Sequence, residues 1–373
     1  MSDRFSRIHP DVITRVGTEI TEGVFAHSSL VHGNRYSGRM SLVLETCRML
    51  SCKADRIASC ACGSCRSFRF MEMSNVVIVS SRDHQIVFDA ARTLYDRTKD
   101  PDILTNLIKL IRIMLLQFHG ALLESVSQKK QETFDAAASV NELLYQIERE
   151  ESPSLDDLFE TLKPVMSTVK RSGALSVAQV RALQDWSNTG SLDGSKKFII
   201  LEGVEHSSDA ARNSLLKFLE EPPDDTYLFV ISERPALLGE TILSRLRRYY
   251  IPDRNPDILH NESIKHYIFE LAGIDCADIE KRAGAFIIEA ASGQHPVHDL
   301  IDTMDEPNRY DYFLDMIATH IEKLCIEKRF SPSVSKNLLQ TATTAAWQCR
   351  IFNQNRRLSL ESLYYRMKEV FRS

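Results

Sequence analysis

Two parts of the chain alternate short apolar runs with amphipathic stretches. Five runs are rich in β-branched and aromatic residues and predict buried strands, at residues 28–32, 76–80, 197–202, 227–232 and 247–251. The stretches between them repeat apolar residues every three or four positions, which is typical of helices that pack one face against a sheet. Apolar strands alternating with helices indicate a parallel sheet covered on both faces. The predicted fold class is therefore α/β.

Residues 84–172 differ in character because their apolar residues follow only the helical period. This segment contains no recognisable chemistry, and we expect a helical insertion with a structural or partner-binding role. Residues 253–257 (DRNPD) have the composition of a linker, and no strand pattern follows them. We therefore expect an α/β domain over 1–252, short helices over 253–304 and longer helices over 305–373.

The composition is that of a globular protein without a strongly basic surface. Hydrophobic residues make up 43% of the 373 residues, and the formal net charge is −5. This net charge does not indicate a large nucleic-acid-binding surface, although it allows a local basic patch. The first residues lack the apolar core of a secretory signal, and no uncharged apolar run approaches the roughly 20 residues of a membrane span. We expect a cytoplasmic protein with no membrane contact.

Residues 33–40 (GNRYSGRM) follow the first predicted strand and precede a helical stretch, which is the context of a phosphate-binding loop. Gly33 and Gly38 would allow backbone N–H groups to cradle phosphates. Arg39 stands where such loops have lysine, and it could still attract phosphate with its planar guanidinium. Met40 replaces the hydroxyl residue, and its soft thioether cannot bind the hard Mg²⁺ ion. The alternative is an ordinary turn between strand and helix.

Residues 198–206 (FIILEGVEH) show a second departure from an active nucleotide site. Glu202 ends a predicted strand where a magnesium-binding acid belongs, and Gly203 stands where a catalytic acid is expected. Loss of the lysine, the hydroxyl and the base removes three contributions that are each worth orders of magnitude in rate. We therefore predict a degenerate nucleotide site that comprises Gly33, Gly38, Arg39 and Glu202.

Four of the eight cysteines fall within 14 residues, at Cys52, Cys60, Cys62 and Cys65. In a cytosolic chain such a cluster favours a metal ion over disulfides. Four thiolates suit tetrahedral Zn²⁺, and four protein ligands leave no open position for water, so the zinc would be structural. The alternative is a set of free or redox-active thiols, with Cys47 as a possible substitute ligand.

Two further motifs carry a family resemblance. Residues 213–223 (NSLLKFLEEPP) and 241–245 (TILSR) resemble the clamp-loader AAA+ subunits of bacterial DNA polymerase III. The gamma and tau subunits of that family normally retain Lys-Thr in the phosphate loop and Asp-Glu after the strand. The delta-prime type carries a degraded loop and keeps an S-R-C arginine, so the resemblance is closest to that type. It covers 25–80 and 174–252 well and 253–373 loosely, and it leaves 84–172 outside the family pattern.

The resemblance implies an architecture and a set of site residues. An AAA+ domain with a central parallel sheet would carry a zinc knuckle at 52–65, and an all-α lid (253–304) and an all-α collar for oligomerisation (305–373) would follow. The family's cysteine spacing differs, because the step from Cys60 to Cys62 is one residue shorter here. The S-R-C arginine acts in trans on ATP bound by a neighbouring subunit, and this role falls on Arg245, with Arg247 and Arg248 as nearby alternatives. The other interpretation of Arg245 is a structural salt bridge. Leu246 replaces the usual cysteine, which is not the working group.

The resemblance also implies a function and partners. We expect a non-hydrolysing subunit of the DNA polymerase III clamp loader that binds no ATP itself. It would join gamma/tau and delta subunits in a pentameric ring, and the complex would load the sliding clamp on primer-template DNA. One alternative is a divergent ATP-hydrolysing subunit of the gamma/tau type. A second is a zinc-containing adaptor that binds nucleic acid, with its partner site on the helical insertion.

Overall fold

The computed structural model describes most of the chain, which folds into two compact units, Met1–Lys265 and His266–Ser373. The described residues are 9–34, 36–80, 82, 84–125, 128–149, 154–171, 174–190, 195–252, 264–292, 297–351 and 354–372. The expected linker at 253–257 lies outside them. The domain limits at 252, 304 and 305 therefore stay predictions.

The first unit contains a five-stranded parallel sheet with helices around it. The strands are β1 (Ser28–Gly33), β2 (Val76–Ser80), β3 (Lys197–Glu202), β4 (Thr226–Ser232) and β5 (Arg247–Ile251). The helices are α1 (Pro10–Thr21), α2 (Arg39–Ser51), α3 (Gly63–Phe70), α4 (Gln85–Thr98), α5 (Pro101–Leu115), α6 (Gln128–Glu148), α7 (Leu155–Arg171), α8 (Val177–Asn188), α9 (Asp209–Glu220) and α10 (Glu240–Leu243). Short 3-10 turns occupy Leu116–Phe118, Gly120–Ser125, Val204–His206 and Pro235–Leu238. The predicted α/β class is confirmed.

The strands lie in the order β2-β3-β4-β1-β5, and each neighbouring pair is parallel. Successive residues of a strand point to opposite faces, so Leu30 joins the core on one face of the sheet and Val31 the core on the other. Strands β2, β3 and β4 are buried on both faces, which explains their apolar runs, whereas the edge strand β5 exposes Arg247, Arg248 and Tyr250. Because the strands are parallel, all five carboxyl ends meet at one edge.

Most described residues of 84–172 are helical, and many of their apolar residues form a core of their own. Ile113 and Leu116 join the core on one face of the sheet, and Leu122 joins the core on the other. Arg112 of α5 joins this segment to the end of α3. Its buried guanidinium donates to the Phe70 carbonyl at 3.0 Å and to both carboxylate oxygens of Glu148 at 3.0 and 2.7 Å, and it lies 3.2 Å from Glu72. The segment is therefore packed into the first unit through a charged contact that the helical period could not predict.

The second unit is helical throughout its described residues. Its helices are α11 (Ile264–Leu271, which begins just before the unit), α12 (Cys276–Ser292), α13 (His298–Ile301), α14 (Pro307–Ile326), α15 (Pro332–Ile351) and α16 (Arg356–Arg372). Aromatic residues fill part of its core, where Phe286 makes edge-on contacts with Phe313 and Tyr364. Within the described part of the chain, no helix combines the length and apolarity that crossing a bilayer requires.

His119 fastens the helical segment to the start of β2 through both ring nitrogens. The N–H of Ala121 donates to Nδ1 at 3.1 Å, so Nε2 carries the proton and donates to the Ser74 carbonyl at 2.9 Å. Burial lowers the pKa of His119, against a smaller opposing effect of the Ser74 bond. The folded state therefore holds the neutral imidazole.

We predict that this histidine makes stability fall in mild acid. The unfolded chain binds a proton near pH 6.5 and the folded state resists it, so stability is lost as the pH falls below about 6.5. His119→Asn keeps an acceptor for the Ala121 N–H but does not titrate. Denaturant unfolding at pH 7.5 and 5.5 should show a smaller acid loss for this variant than for the wild type. His298→Asn is the control, and equal losses in the wild type and His119→Asn would contradict the assignment.

Candidate functional site

The turn from β1 to α2 forms part of the carboxyl edge of the sheet. The backbone requires glycine at both Gly33 and Gly38. A Cβ at Gly33 would stand 2.3 Å from the Ile251 carbonyl oxygen of β5. Gly38 precedes α2 with φ +100°, a conformation that side chains disfavour. Residue 35 of this loop lies outside the described residues. The glycines therefore fit the strand–helix turn whether or not phosphate binds there.

Arg39 begins α2 and is buried, with only 3% of its side chain exposed. Its Nη2 donates to Oε1 of Glu233 at 2.9 Å, and Glu233 directly follows β4. The cation at the lysine position is thus neutralised by an acid of the same chain. A nucleotide phosphate would have to compete with this carboxylate for the guanidinium.

Glu202 ends β3 and is engaged on both carboxylate oxygens. Ser80 at the end of β2 donates its hydroxyl to Oε2 at 2.7 Å. Arg82 donates from Nε to both oxygens at 3.2 and 3.1 Å and from Nη2 to Oε1 at 2.5 Å. Burial acts to raise the pKa of Glu202, but Arg82, Ser80 and Arg39 together hold it below its usual range. The carboxylate is ionised and its ligand positions face an arginine.

Gly203 follows Glu202 with φ +82°, and its N–H donates to the Ile231 carbonyl of β4 at 3.3 Å. A residue with a side chain would be strained in this conformation, so the backbone itself disfavours an acid at this position. The nearby Glu205 lies in the turn Val204–His206 and accepts a hydrogen bond from Ser232 at 2.7 Å. The first acid that follows Gly203 along the chain is therefore directed at the end of β4.

Arg245 lies elsewhere, just after α10, and its bonds connect the two family motifs. Nε donates to Oε1 of Glu220, the last residue of α9, at 2.7 Å, and Nη2 forms an ion pair with the same oxygen. Nη1 donates to the Thr241 carbonyl of α10 at 2.5 Å. The Arg245 side chain is 28% exposed. It therefore belongs to the face formed by α9 and α10.

The four clustered cysteines converge around one point. Sγ atoms of Cys52, Cys60, Cys62 and Cys65 all lie within 4.8 Å of one another, and Cys52 stands 3.6 Å from Cys60 and 3.9 Å from Cys62. A tetrahedral ion with bonds of about 2.3 Å to sulfur requires sulfur–sulfur distances of about 3.8 Å. This set of residues can hold a metal ion.

The local backbone explains how the cysteines meet despite the short step between Cys60 and Cys62. Cys52 ends α2 in extended conformation, and Cys62 precedes α3, so Cys65 lies in the first turn of that helix. The N–H groups of Ala54 and Arg56 donate to Cys52 Sγ at 3.4 and 3.3 Å. Such hydrogen bonds stabilise a thiolate, and they orient the ligand before a metal binds.

Arg48 of α2 adds a positive charge beside the cysteine cluster. It is buried, and it donates from Nη1 to Cys65 Sγ at 3.0 Å and from Nε and Nη2 to Glu45 at 3.0 and 2.6 Å. A further bond of 2.8 Å reaches the Arg56 carbonyl. Arg48 therefore orients Cys65 and the loop that follows Cys52 through hydrogen bonds. The cysteine spacing could not predict this role.

Cys47 does not take part in the cluster. It is fully buried in the core on one face of the sheet, and burial raises the pKa of its thiol well above the ordinary value. Its sulfur is not part of the group of four that lie within 4.8 Å of one another. The structure therefore gives no support to Cys47 as a substitute ligand.

Strand order, strand direction and the glycine-bounded turn between β1 and α2 define the first unit as a parallel α/β domain with the strand–turn–helix arrangement of a nucleotide-binding fold. A family model described as "DNA polymerase III, delta subunit" matches residues 8–112 and 119–255, which is more than half of the chain. The chain belongs to this family, which confirms the resemblance drawn from the motifs. The matched ranges include most of residues 84–172, so the expectation that this segment lies outside the family pattern is wrong.

Curated relatives carry the name DNA polymerase III subunit delta′. That of Bacillus subtilis (strain 168) is 36% identical over 104 residues, which are 27% of this chain and 31% of the relative. That of Yersinia pestis is 37% identical over 87 residues (23% and 26%), and that of Escherichia coli (strain K12) 35% over 82 residues (22% and 25%). The chain spans about a quarter to a third of the length of these relatives.

A solved structure, a DNA polymerase III gamma subunit-related protein from Thermotoga maritima, is similar at 15% identity with a TM-score of 0.30. The match covers 53% of this chain and 83% of that one.

Proposed function

We propose that this chain is a non-hydrolysing subunit of the DNA polymerase III clamp loader, of the delta-prime type. The observation that carries the proposal is the internal pairing at the carboxyl edge of the sheet. Arg39 is bound to Glu233 and Glu202 to Arg82, so the charges that would receive Mg·ATP are neutralised by the chain. Membership of the DNA polymerase III delta family supports the assignment to this complex.

The same edge lacks the groups that hydrolysis needs. Met40 offers no hydroxyl for Mg²⁺, and Gly203 offers no base to activate water. Arg39 is bound to Glu233, whereas the lysine of an active loop reaches the terminal phosphates of the nucleotide. In this proposal the nucleotide fold is retained as a structural platform, and ATP is bound by neighbouring subunits.

The contribution to catalysis would come from Arg245. A guanidinium that reaches a neighbour's γ-phosphate stabilises the charge that develops during phosphoryl transfer. Arg245 suits this role because it lies partly exposed on the face of α9 and α10. The partners would be gamma/tau and delta subunits in a pentameric ring that loads the sliding clamp on primer-template DNA, with the helices of 305–373 as the collar.

The metal in the cysteine cluster would be structural Zn²⁺. Four thiolates with tetrahedral spacing are the ligand set that zinc prefers, and they leave no coordination position for a reacting water. When bound, the ion would fix the loop between α2 and α3. Arg48 would offset part of the negative charge of the four thiolates.

We expect the purified chain to contain about one zinc per molecule, held by these four thiolates. Cys62→Ser should lower the zinc content to a small fraction, because three thiolates bind far more weakly than four. Metal analysis by mass spectrometry checks this, and Cys47→Ala is the matched control. Zinc loss in Cys47→Ala with retention in Cys62→Ser would overturn the ligand assignment.

The isolated chain should show no saturable binding of Mg·ATP in the micromolar range and no turnover. The reason is that Glu233 and Arg82 already occupy Arg39 and Glu202. Titration with a fluorescent ATP analogue and a phosphate-release assay measure the two quantities. Micromolar binding accompanied by turnover would instead establish the alternative, an active subunit of the gamma/tau type.

Arg245→Ala should leave ring assembly intact and lower the DNA-stimulated ATPase rate of the reconstituted complex by at least about tenfold, the lower end of the arginine-finger scale. Arg248→Ala is the matched control, because Arg248 is a nearby exposed arginine whose Nη2 only reaches the Leu243 carbonyl at 3.4 Å. An unchanged rate in Arg245→Ala would remove the trans-acting role.

If assembly or DNA contact depended on residues 84–172 alone, the adaptor alternative would be favoured.

A further inference from the structure

The contact between Glu220 and Arg245 joins residues that are 25 positions apart in sequence. Glu220 belongs to the motif LLKFLEEPP, and Arg245 to the motif ILSR. We propose that Glu220 is the positioning residue of Arg245, so that the acid at the end of α9 orients the guanidinium toward a neighbouring subunit's ATP. This inference rests on the proposed trans role of Arg245.

The geometry of the guanidinium supports this role. Glu220 Oε1 binds the side edge of the group, through Nε and Nη2, and the Thr241 carbonyl takes an N–H of Nη1. Nη1 also donates to the Ser244 hydroxyl at 3.4 Å. An arginine has five N–H donors in a fixed planar fork, so these bonds leave one N–H of Nη2 at the outer end, where only the long bond to Ser244 competes for the second N–H of Nη1. Phosphate oxygens are bound well by that outer end. Glu220 and Thr241 therefore fix the plane of the fork without using its reactive end.

Glu220 is itself held on a rigid support. Leu215, Phe218 and Leu219 bury the inner face of α9 in the core of the sheet. The Ser28 hydroxyl of β1 donates to the Leu219 carbonyl at 2.8 Å, which fastens the last turn of α9. Pro222 and Pro223 follow after one residue, Glu221, and prevent the helix from continuing. The carboxylate is consequently placed by the helix end and not by a loose loop.

The value of the pair lies in orientation more than in stability. Both side chains are partly exposed, and exposed ion pairs contribute little to folding. An unanchored arginine samples many rotamers, however, and a displacement of about 1 Å can cost up to about a hundredfold in rate. Loss of Glu220 should therefore lower kcat and leave the affinity of the neighbouring subunit for ATP unchanged.

The test is steady-state ATPase kinetics of the reconstituted complex with DNA present. Glu220→Ala should lower kcat at least about threefold with an unchanged KM for ATP, and Glu220→Gln, which retains an amide oxygen as acceptor, should recover part of the loss. Glu221→Ala is the matched control, because it removes the adjacent exposed acid. The double variant Glu220→Ala/Arg245→Ala should be no slower than Arg245→Ala, since the two residues act as one unit.

The outcomes separate this inference from the function on which it rests. If Arg245→Ala leaves the rate unchanged, the trans role itself fails. If Arg245→Ala slows the complex but Glu220→Ala matches the wild type, only the positioning role fails. A faster Glu220→Ala complex would show that Glu220 restrains Arg245, which also overturns the proposal. Size-exclusion chromatography and thermal unfolding of each variant identify a fold or assembly defect. If Glu220→Ala has such a defect, the kinetics of Glu220→Gln and of the double variant test the positioning role instead.

Discussion

The parallel register of the sheet is the constraint on which the candidate site depends. It brings the ends of β1, β2, β3 and β4 to one edge, where Ser80, Glu202 and Ser232 come within reach of side chains from adjoining loops. Charges at such an edge must be compensated, because an ionised group in a partly dry environment is costly. In this chain the compensation is internal, through Arg39 with Glu233 and Arg82 with Glu202. A single substitution that restored a nucleotide-binding side chain would leave the opposing charges in place.

Helix α2 links this edge to the cysteine cluster. Arg39 stands at its first residue and Cys52 caps its last turn, while Glu45 and Arg48 form a buried ion pair between them. Removing one member of a buried pair is costly because the other charge is left without a partner. The loop that carries the cysteines therefore follows the same helix whose N-terminus would face a phosphate.

The strands, the cysteine cluster and the family motifs could be predicted from the sequence, because each lies within one short stretch of the chain. The buried runs at β2, β3 and β4 are apolar without interruption, and the two motifs around Glu220 and Arg245 are compact. The partners of the predicted site residues were not accessible in this way. Ser80 and Glu202 are 122 positions apart, and Arg39 and Glu233 are 194 apart, so only the folded sheet reveals these contacts. The contacts of Arg112 with Phe70 and Glu148 could not be predicted from the helical pattern either, because these residues are 42 and 36 positions away.

Two arginine–glutamate pairs of similar chemistry have opposite consequences because of where they lie. Arg39 is 3% exposed and its partner closes a site within the chain, whereas Arg245 is 28% exposed on the face of α9 and α10. A guanidinium can serve another molecule only if its outer N–H groups are accessible and its plane is fixed. Arg39 fails the first condition and Arg245 meets both. Burial, more than residue type, thus separates Arg39 from Arg245, to which our proposal assigns the role in a neighbouring subunit's site.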